Sequence, residues 1–388
     1  MPSLGLGLGL HKGVPTFTGL LDYYTGAAAA YSLRALSRGW LAGDVVEVRR
    51  DSDSATADFT ASQVANGTLV DWVKRCGDFT NAGFTTLVNN GTGDGFTATL
   101  TSGEGQARSP SVSGGSSDVV VIDFDIDIVS GSPALALRST STVRSNLEII
   151  TTSGSKSITL TATGNFNNFT FSEADIPSEY TISNVRVSTN DGFVSKWYDQ
   201  SGNGNDATQA TTTSQPKIVD AGALVTGGLD FYSNSSLDSA AFADGSDSSV
   251  FLAFNNQTAD ANRKVFISKS TFPDDGIVFN YRGDVSVGQY DFVNYDGITR
   301  SLTYSEATSP LSGLSTTIIN GTGKEAFLNG TSRASDAETF VGGSSILRLG
   351  SGNFGTGFEI AEVILYPTDE SANRVGIETN INDAYNIF

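Results

Sequence analysis

The chain has 388 residues, of which 38% are hydrophobic, and this length predicts two or three domains. Its formal net charge of −19 repels phosphate backbones, which argues against nucleic-acid binding. The single cysteine, Cys76, and the single histidine, His11, exclude an intrachain disulfide framework and a Cys/His zinc site within one chain. Abundant Gly, Ser, Thr, Asn and Asp favour many short strands joined by tight turns.

Residues 1–25 begin with the alternating stretch "LGLGLGL", which predicts an extended segment with few contacts of its own. Such a segment is expected to become ordered by docking on another chain, and a frayed tail is the alternative interpretation. No window of the sequence is apolar over the ~18 residues that a membrane-spanning helix needs. We therefore expect a docking segment and no membrane span.

Residues 26–77 contain three predicted elements, and the helix and hairpin among them are assigned to the same sandwich domain as residues 191–388. "GAAAAYSLRALSRGW", residues 26–40, predicts a helix because Leu33, Leu36 and Trp40 recur at helical spacing. "GDVVEVRRDSDSATADF" predicts a hairpin with its turn at "RDSDSA". "GTLVDWVKRCG" predicts a short helix that ends at Gly77.

Residues 78–190 have a purely β pattern, which predicts a jelly roll inserted between the flanking parts. "VVVIDFDIDIV" alternates strictly, with Ile122, Phe124, Ile126 and Ile128 on one face and Asp123, Asp125 and Asp127 on the other. The aspartate row is a candidate site for a metal or a basic partner. The alternative is a solvated face that blocks edge-to-edge aggregation.

Residues 191–388 predict a second β domain. Its strands include "GGLDFYS", "SVFLAFNN", "STTIINGTG", "KEAFLNGTS" and "FEIAEVILYP". The chain closes with a predicted helix in "TDESANRVGIETNINDAYNIF", capped by Thr368 or Asp369. The apolar stripe of that helix consists of Ile377, Ile381, Ala384 and Tyr385.

Three motifs of this last region resemble the laminin-G-like, concanavalin A-like lectin/glucanase family. "GGLDFYSNSSL" resembles an early strand and turn of the family, and "KEAFLNGTSRAS" resembles its hairpin with an Asn-Gly turn. "FEIAEVILYPTDESANRVGIETNINDAYNIF" resembles its closing strand, "EVxxY" signature and terminal helix. The resemblance implies an all-β fold: a concanavalin A-like β-sandwich with an inserted, carbohydrate-binding-module-like jelly roll and a few short helices.

A second resemblance joins "AAAAYSLRALSRGWLAGDVVEVRRDSDSATADF" to "FVSKWYDQSGNGNDATQA". This pair of motifs looks like the start of the arabinofuranosidase B catalytic domain and is also similar to many bacteriophage virion proteins. No acid of this chain aligns with that family's catalytic carboxylates through a shared motif, so no catalytic residue is predicted.

The second resemblance implies a virion structural protein that adheres to host-surface glycans from a tail fibre, baseplate or particle surface. Its expected partners are other virion proteins, through residues 1–25, and glycans, and a homo-oligomer is expected. The alternatives are a capsid decoration protein and a glycoside hydrolase that cuts surface polysaccharide, so the enzymatic status stays open.

The stretch "FVSKWYDQSGNGNDATQA" supplies the candidate carbohydrate-binding residues Trp197, Tyr198, Asp199, Gln200, Asn203 and Asn205. An aromatic platform beside planar polar groups suits a sugar ring and its hydroxyls. Asp199 and Asp206 are candidate calcium ligands, although the loop offers fewer side-chain oxygens than calcium prefers, and no other cofactor is expected. The structural alternative puts Trp197 and Tyr198 in the core, with Asp199 and Asn203 bonding the backbone.

Two acids of the closing strand, Glu359 and Glu362, are a candidate glycosidase pair. Residues three apart on a regular strand point to opposite faces, which argues against joint action. Glu362, placed on the face of Ile360 and Ile364, is expected to be a buried and hydrogen-bonded structural acid.

Overall fold

The structure is a computed structural model that carries side chains. It describes residues 17–110, 112, 119–139, 146–161, 168–174, 176–232, 235–243, 246–255, 263–270, 275–282, 286, 288–296, 299–306, 312–339, 344–350 and 357–388. The Leu-Gly stretch predicted to dock on another chain lies outside these ranges.

The first part of the chain contains short helices and three strands. They are α1 (Leu20–Tyr23), β1 (Ala29–Ser32), a 3-10 turn (Arg38–Trp40), β2 (Asp44–Arg50), β3 (Thr56–Thr60), α2 (Ala61–Ala65) and α3 (Thr68–Val73). The predicted hairpin is confirmed by the antiparallel pairing of β2 with β3. The predicted short helix is confirmed as α3, which ends at Val73, before Gly77.

Ten strands follow in the predicted insert. They are β4 (Thr80–Ala82), β5 (Thr86–Asn89), β6 (Phe96–Leu100), β7 (Glu104–Arg108), β8 (Val119–Ser130), β9 (Leu135–Ser139), β10 (Asn146–Ile150), β11 (Gly154–Thr161), β12 (Phe169–Ala174) and β13 (Ser178–Val187). They form two five-stranded sheets, ordered β10-β9-β12-β7-β4 and β11-β8-β13-β6-β5. The two sheets share one core rich in Phe, Ile and Val, and the domain limits of 78–190 stay a prediction.

The last part of the chain contains sixteen further strands, a second 3-10 turn (Thr212–Ser214) and one long helix. The strands are β14 (Gly192–Trp197), β15 (Ala207–Thr208), β16 (Lys217–Asp220), β17 (Ala223–Leu224), β18 (Leu229–Phe231), β19 (Leu237–Ala243), β20 (Ser248–Asn255), β21 (Arg263–Ser270), β22 (Asp275–Arg282), β23 (Gln289–Asp296), β24 (Thr299–Ser305), β25 (Gly313–Asn320), β26 (Gly323–Leu328), β27 (Thr331–Asp336), β28 (Ser344–Leu349) and β29 (Phe358–Tyr366). The helix is α4 (Arg374–Tyr385).

The sheet of this part divides at β14 into two layers. One layer continues through β16, β18, β29, β20, β25, β26 and β27. The other continues through β15, β19, β28, β21, β22, β23 and β24. Side chains of both layers meet in one main core, so the predicted all-β sandwich class is confirmed.

We call the face of the first layer that points away from this main core the outer face. Part of it is covered by α1 and α4, whose Leu20, Ile377 and Ile381 pack on Phe251 and Ile364. The closing helix is therefore confirmed, but its predicted cap is wrong. The helix begins at Arg374 after Asn373, while the Asp369 carboxylate accepts a hydrogen bond from the backbone N–H of Ser371 in the preceding turn.

The helix predicted over residues 26–40 is wrong. Ala29–Ser32 form β1, which pairs antiparallel with β29, and only Arg38–Trp40 make a helical turn. The alanines have high helix propensity, but each can fill a tightly packed position in a sheet. Pairing with a central buried strand here outweighs local propensity. No helix in the described ranges is long and apolar enough to cross a membrane.

Candidate functional site

The loop that follows β14 is hydrogen-bonded to the backbone of residues 27–36. Asp199 is only 1% exposed. Its carboxylate accepts hydrogen bonds from the backbone N–H groups of Ala30 at 2.9 Å, Ser201 at 2.9 Å and Asn205 at 3.0 Å. Backbone N–H groups that are buried in a turn lose their hydrogen bonds to water. A carboxylate that accepts hydrogen bonds from several of them compensates for this loss.

Three amide side chains of the same loop make further hydrogen bonds to this backbone. Gln200 accepts a hydrogen bond from the N–H of Leu36 at 2.8 Å and donates to the carbonyls of Ser32 and Arg34. Asn203 donates to the carbonyls of Ala27 and Ala28, and Asn205 donates to that of Ala28 at 2.8 Å. The loop thus satisfies the backbone of the segment that carries β1.

The two aromatics of the loop differ in exposure. Trp197 is fully buried beside Tyr31, with ring centroids 5.8 Å apart, so the stacking role predicted for Trp197 is corrected to a core role. Tyr198 is half-buried and donates a hydrogen bond to Asp58 at 2.7 Å. Burial, followed by the hydrogen bond to this carboxylate, raises the pKa of Tyr198 above its usual range.

The calcium candidates of the loop face protein donors. Asp206 accepts a hydrogen bond from the N–H of Asp199 at 2.9 Å, and both oxygens of Asp199 accept hydrogen bonds themselves. Both oxygens of Asp199 and one oxygen of Asp206 thus already bind protein donors, and the calcium site stays a prediction. Within the described ranges, no group of three or more His, Cys, Asp or Glu side chains is arranged to hold a metal ion.

The aspartate row of β8 lies where the alternation predicts. Ile122, Phe124 and Ile126 are buried, and the intervening aspartates are at least partly exposed. Asp125 accepts hydrogen bonds from Ser155 and Asn184, which lower its pKa below the usual range. The hydrogen-bond partners of the Asp125 carboxylate therefore lie on the neighbouring strands of its own sheet.

Glu362 is a structural acid, as predicted. It is fully buried, and the guanidinium of Arg34 binds it at 2.8 and 2.9 Å. The hydroxyls of Ser32 and Tyr385 donate to the same carboxylate at 2.8 and 3.0 Å. The contacts connect β29 to α4 and to the segment after β1.

The prediction that Glu359 and Glu362 point to opposite faces is wrong, as is the placement of Glu362 on the face of Ile360. On β20, Ala253 pairs with Glu362, and Asn255 pairs with Glu359. Ala253 and Asn255 share a face because they are two residues apart. The register shift leaves Ala361 as an extra bulged residue, and the bulge turns both glutamates to the outer face.

The uncovered part of the outer face carries a line of directly opposed residues, which we call the transverse row. Each member is the cross-strand partner of the next, on β2, β14, β16, β18, β29 and β20: Arg49, Phe193, Lys217, Asp230, Glu359 and Asn255. Each lies next in sequence to a residue of the main core, so the row projects outward. Six strands about 4.8 Å apart give a row roughly 24 Å long.

One end of the row combines aromatic rings with cations. The guanidinium of Arg49 lies 4.7 Å from the ring centre of Phe193. The ammonium of Lys217 lies 5.8 Å from the ring centres of both Phe193 and Tyr232. Lys217 also binds Asp191 at 2.8 Å and Asp220 at 2.6 Å, and these carboxylates raise its pKa against the effect of burial.

The other end of the row holds a pair of acids. Asp230 on β18 is opposite Glu359 on β29, and Glu359 is 8% exposed. Burial, followed by the charges of Glu359 and Asp220, raises the pKa of Asp230 to about 6. The loop before β18 lies on Glu359, since a Cβ added to Gly227 would come within 1.7 Å of its Oε2 atom.

A cavity of about 470 Å³ lies next to this acid pair. Its lining includes Gly228 and Ala361 and is mainly apolar, with Leu33, Ala35, Val64, Leu224, Val225 and Ala384 among its walls. Arg34, Thr226 and Tyr385 contribute polar groups to the lining. The outer face therefore presents a polar and aromatic row beside an apolar recess, which is the usual composition of a ligand site.

Sequence reasoning did not find the transverse row. Alternation in "GFVSKW", "LDF" and "FEI" already separates Phe193, Asp230 and Glu359 from their core neighbours. The order of the strands in the sheet is not sequential, however, and the register between them cannot be read from one sequence. The row becomes visible only when strands from distant parts of the chain lie side by side.

No protein-family model matches this chain, and no curated protein matches it. Among solved structures, the CBM40 of the Ruminococcus gnavus IT-sialidase bound to alpha2,3 sialyllactose is similar at 12% identity and a TM-score of 0.29, over 35% of this chain and 84% of that one. Galectin LEC-6 of Caenorhabditis elegans has 17% identity and a TM-score of 0.25, over 35% of this chain and 94% of that one.

The sialidase of Trypanosoma rangeli has 8% identity and a TM-score of 0.36, over 75% of this chain and 60% of that one. Identities and TM-scores this low assign no function to this chain.

Proposed function

We propose that this protein binds glycans through the transverse row and the adjoining cavity, and that it does so as a structural protein of a bacteriophage virion. The observation that carries the binding site is the row itself. It places the ring of Phe193 among charged and amide groups on paired strands, and the ring of Tyr232, just after β18, lies near the same Lys217 ammonium. Aromatic faces stack on the apolar side of a sugar ring, and planar polar groups bind its hydroxyls.

The charge of the row favours neutral sugars. The cations Arg49 and Lys217 are outnumbered by the nearby acids Asp191, Asp220, Asp230 and Glu359, and the whole chain has a formal charge of −19. An acidic glycan would meet a repulsive potential during encounter and at the site. We therefore expect neutral oligosaccharides to bind better than sialylated or sulfated ones.

The acid pair at the end of the row supports binding rather than hydrolysis. Directly opposed residues on neighbouring strands have Cβ atoms about 4.5–5.5 Å apart, which is compatible with the spacing in a retaining glycosidase. A nucleophilic carboxylate, however, has to reach the anomeric carbon of the sugar. Gly227 packs directly on the carboxylate of Glu359, so that approach is blocked.

The virion assignment derives from the resemblance of two sequence motifs of this chain to those of bacteriophage virion proteins. In that setting residues 1–25 would dock on neighbouring virion proteins, and a tail fibre or baseplate would present many copies of the site. Multiple copies convert weak contacts with single glycans into strong adhesion. Immuno-electron microscopy of purified particles, with antibodies against this chain, tests the location directly.

A glycan array tests the binding site. The full chain is expected to bind selectively, with neutral oligosaccharides giving the strongest signals. Phe193→Ala is expected to lose at least several-fold of that signal, because it removes the aromatic ring of the row. Tyr23→Ala is the matched control, since Tyr23 is 70% exposed, lies outside the row and should leave binding unchanged.

Circular dichroism confirms that both variants are folded before the array is interpreted. No binding by the folded wild-type chain on any glycan, or unchanged binding by Phe193→Ala, would contradict the proposed site.

A further inference from the structure

The apolar cavity beside the acid pair lies within a short distance of the transverse row. Gly228 lines the cavity and precedes the row residue Asp230 by two positions. Ala361 also lines it and follows the row residue Glu359 by two positions. Two residues of fully extended chain span at most about 7 Å, so one ligand can contact both the row and the cavity.

The cavity has apolar walls and an apolar entrance. Its volume is about 470 Å³, and Leu33, Val64 and Leu224 are among its walls. Phe17 and Leu41 also line it and are 43% and 45% exposed, so the apolar lining continues to the protein surface. Hydrocarbon that moves from water onto such a lining gains free energy in proportion to the area that it buries.

The polar side chains of the lining are bound to protein atoms or lie at the surface. The guanidinium of Arg34 binds both oxygens of Glu362 at 2.8 and 2.9 Å, and the hydroxyl of Tyr385 donates to the same carboxylate at 3.0 Å. Among the described lining residues, the other hydroxyls belong to Ser62 and Thr226, which are both exposed. A sugar ring placed deep in the cavity would therefore lose hydrogen bonds to water, whereas a hydrocarbon chain has none to lose.

The charge of the chain argues for a neutral occupant. The positive charge of Arg34 is matched by the negative charge of Glu362, so the cavity offers no net positive charge to an anionic lipid. A second copy of the chain would bring a further formal charge of −19, and copies with large like charges repel one another. A hydrocarbon chain on a neutral sugar meets neither obstacle.

We propose that the cavity takes a hydrocarbon chain carried by the sugar that binds at the transverse row, so the ligand class is a neutral glycan with an alkyl or acyl chain. This inference rests on the proposed glycan-binding function and adds the apolar half of the ligand to it. The sugar is bound by Phe193 and its neighbours in the row. The chain passes Gly228 and Ala361 and packs on the walls of the cavity.

Glycosides that differ only in their hydrocarbon chain test the inference. Methyl and octyl β-glycosides of glucose, galactose and mannose are titrated into the full chain by ligand-observed NMR, with the octyl compounds kept below the concentration at which they form micelles. Each methylene that leaves water adds about fourfold in affinity. We expect the wild-type chain to bind the octyl glycoside of its preferred sugar at least about tenfold more tightly than the methyl glycoside.

Three variants locate the hydrocarbon chain. Ala65→Trp fills the cavity from an exposed position of α2 and should remove the preference for the octyl glycoside. Leu41→Ser removes apolar surface at the entrance and should lower that preference in part. Ala82→Trp, at an exposed alanine of β4, is the matched control and should keep the wild-type preference. Circular dichroism establishes that each variant is folded before its titration is interpreted.

Three results would overturn the inference and leave the proposed function intact. They are equal affinities for the octyl and methyl glycosides, as would follow if residues 1–16 filled the cavity, an octyl preference that persists in folded Ala65→Trp, and binding of 1-octanol as tight as that of the octyl glycoside. A second copy that covers the cavity instead is detected by sedimentation velocity as a dimer that Ala65→Trp dissociates, and it also overturns the inference.

Failure of the proposed function has a different signature. No binding of any glycoside or array oligosaccharide by the folded chain contradicts it. Unchanged binding of the methyl glycosides by Phe193→Ala also contradicts it, because the sugar half of the ligand should then have lost its contact with the ring.

Discussion

Glu359 and Glu362 lie three residues apart on β29, face the same side of the sheet and have opposite surroundings. Glu362 is fully buried and bound by the guanidinium of Arg34, with two hydroxyls completing its hydrogen bonds. Glu359 faces a second acid, Asp230, in the uncovered part of the outer face. The first acid connects a helix to the sheet, and the second lies beneath the loop at Gly227, within the transverse row.

On the proposed function, this difference means that one strand serves both stability and binding. A buried carboxylate with a bidentate arginine is electrostatically satisfied and gains nothing from a ligand. Asp230, opposite Glu359, has a pKa raised to about 6 by burial and by neighbouring negative charges, and perturbed acids of this kind are concentrated at functional sites. The bulge at Ala361 marks the border between the two regions, and it also lies in the lining of the cavity.

Removing Arg34, the partner of Glu362, should have the largest effect on stability. Arg34→Leu leaves the Glu362 carboxylate fully buried with no opposite charge, and we expect the free energy of unfolding to fall by about 3–5 kcal/mol. Urea denaturation measures this loss.

Arg348→Leu is the matched control for that prediction. Arg348 makes an equally short pair with Asp238, at 2.7 Å, but their side chains are 44% and 32% exposed. An exposed pair contributes about 0–1 kcal/mol. Similar losses from the two arginine substitutions would contradict the contrast between buried and exposed carboxylates.

A smaller effect is expected where the loop lies on the acid pair. In Gly227→Ala, the new Cβ would come within 1.7 Å of the Glu359 Oε2 atom and 2.8 Å of the Asn255 Cβ atom. Overpacking of this kind costs about 1–3 kcal/mol, and the displaced loop should also weaken glycan binding. Chemical denaturation and the array measure the two effects.

Gly321→Ala is the matched control. It makes the same substitution at a position where nothing lies within 4 Å of the new Cβ, so it measures the effect of replacing a glycine without overpacking. If the two alanine variants are equally stable and bind glycans equally well, the loop does not press on the acid pair in the way described.

Local pattern was enough to predict part of the fold from the sequence. The alternation in β8 placed its isoleucines and aspartates on the correct faces, because side-chain direction along a strand has a period of two. The Asn329–Gly330 turn was recognisable because both residues adopt positive φ, at 52° and 73°, in the hairpin that joins β26 to β27.

The errors arose where distant residues decide the conformation. Residues 26–40 have helical spacing, but the loop that starts at Asp199, about 170 positions later, binds their backbone in an extended form. No glycine or proline at Ala361 indicates a bulge in the sequence. A regular strand was therefore assumed, and this places Glu359 and Glu362 on opposite faces. The candidate site depends on the register of six non-sequential strands, which local patterns do not encode.

The most direct test of the central claim is a crystal structure of the full chain soaked with the neutral oligosaccharide that gives the strongest array signal. The account predicts a sugar ring stacked on Phe193 or Tyr232 and hydroxyls bound near Lys217 and Asp230. A sugar bound instead at the loop of residues 199–206, or on the sheets formed by β4 to β13, would contradict the assignment of the transverse row as the glycan site.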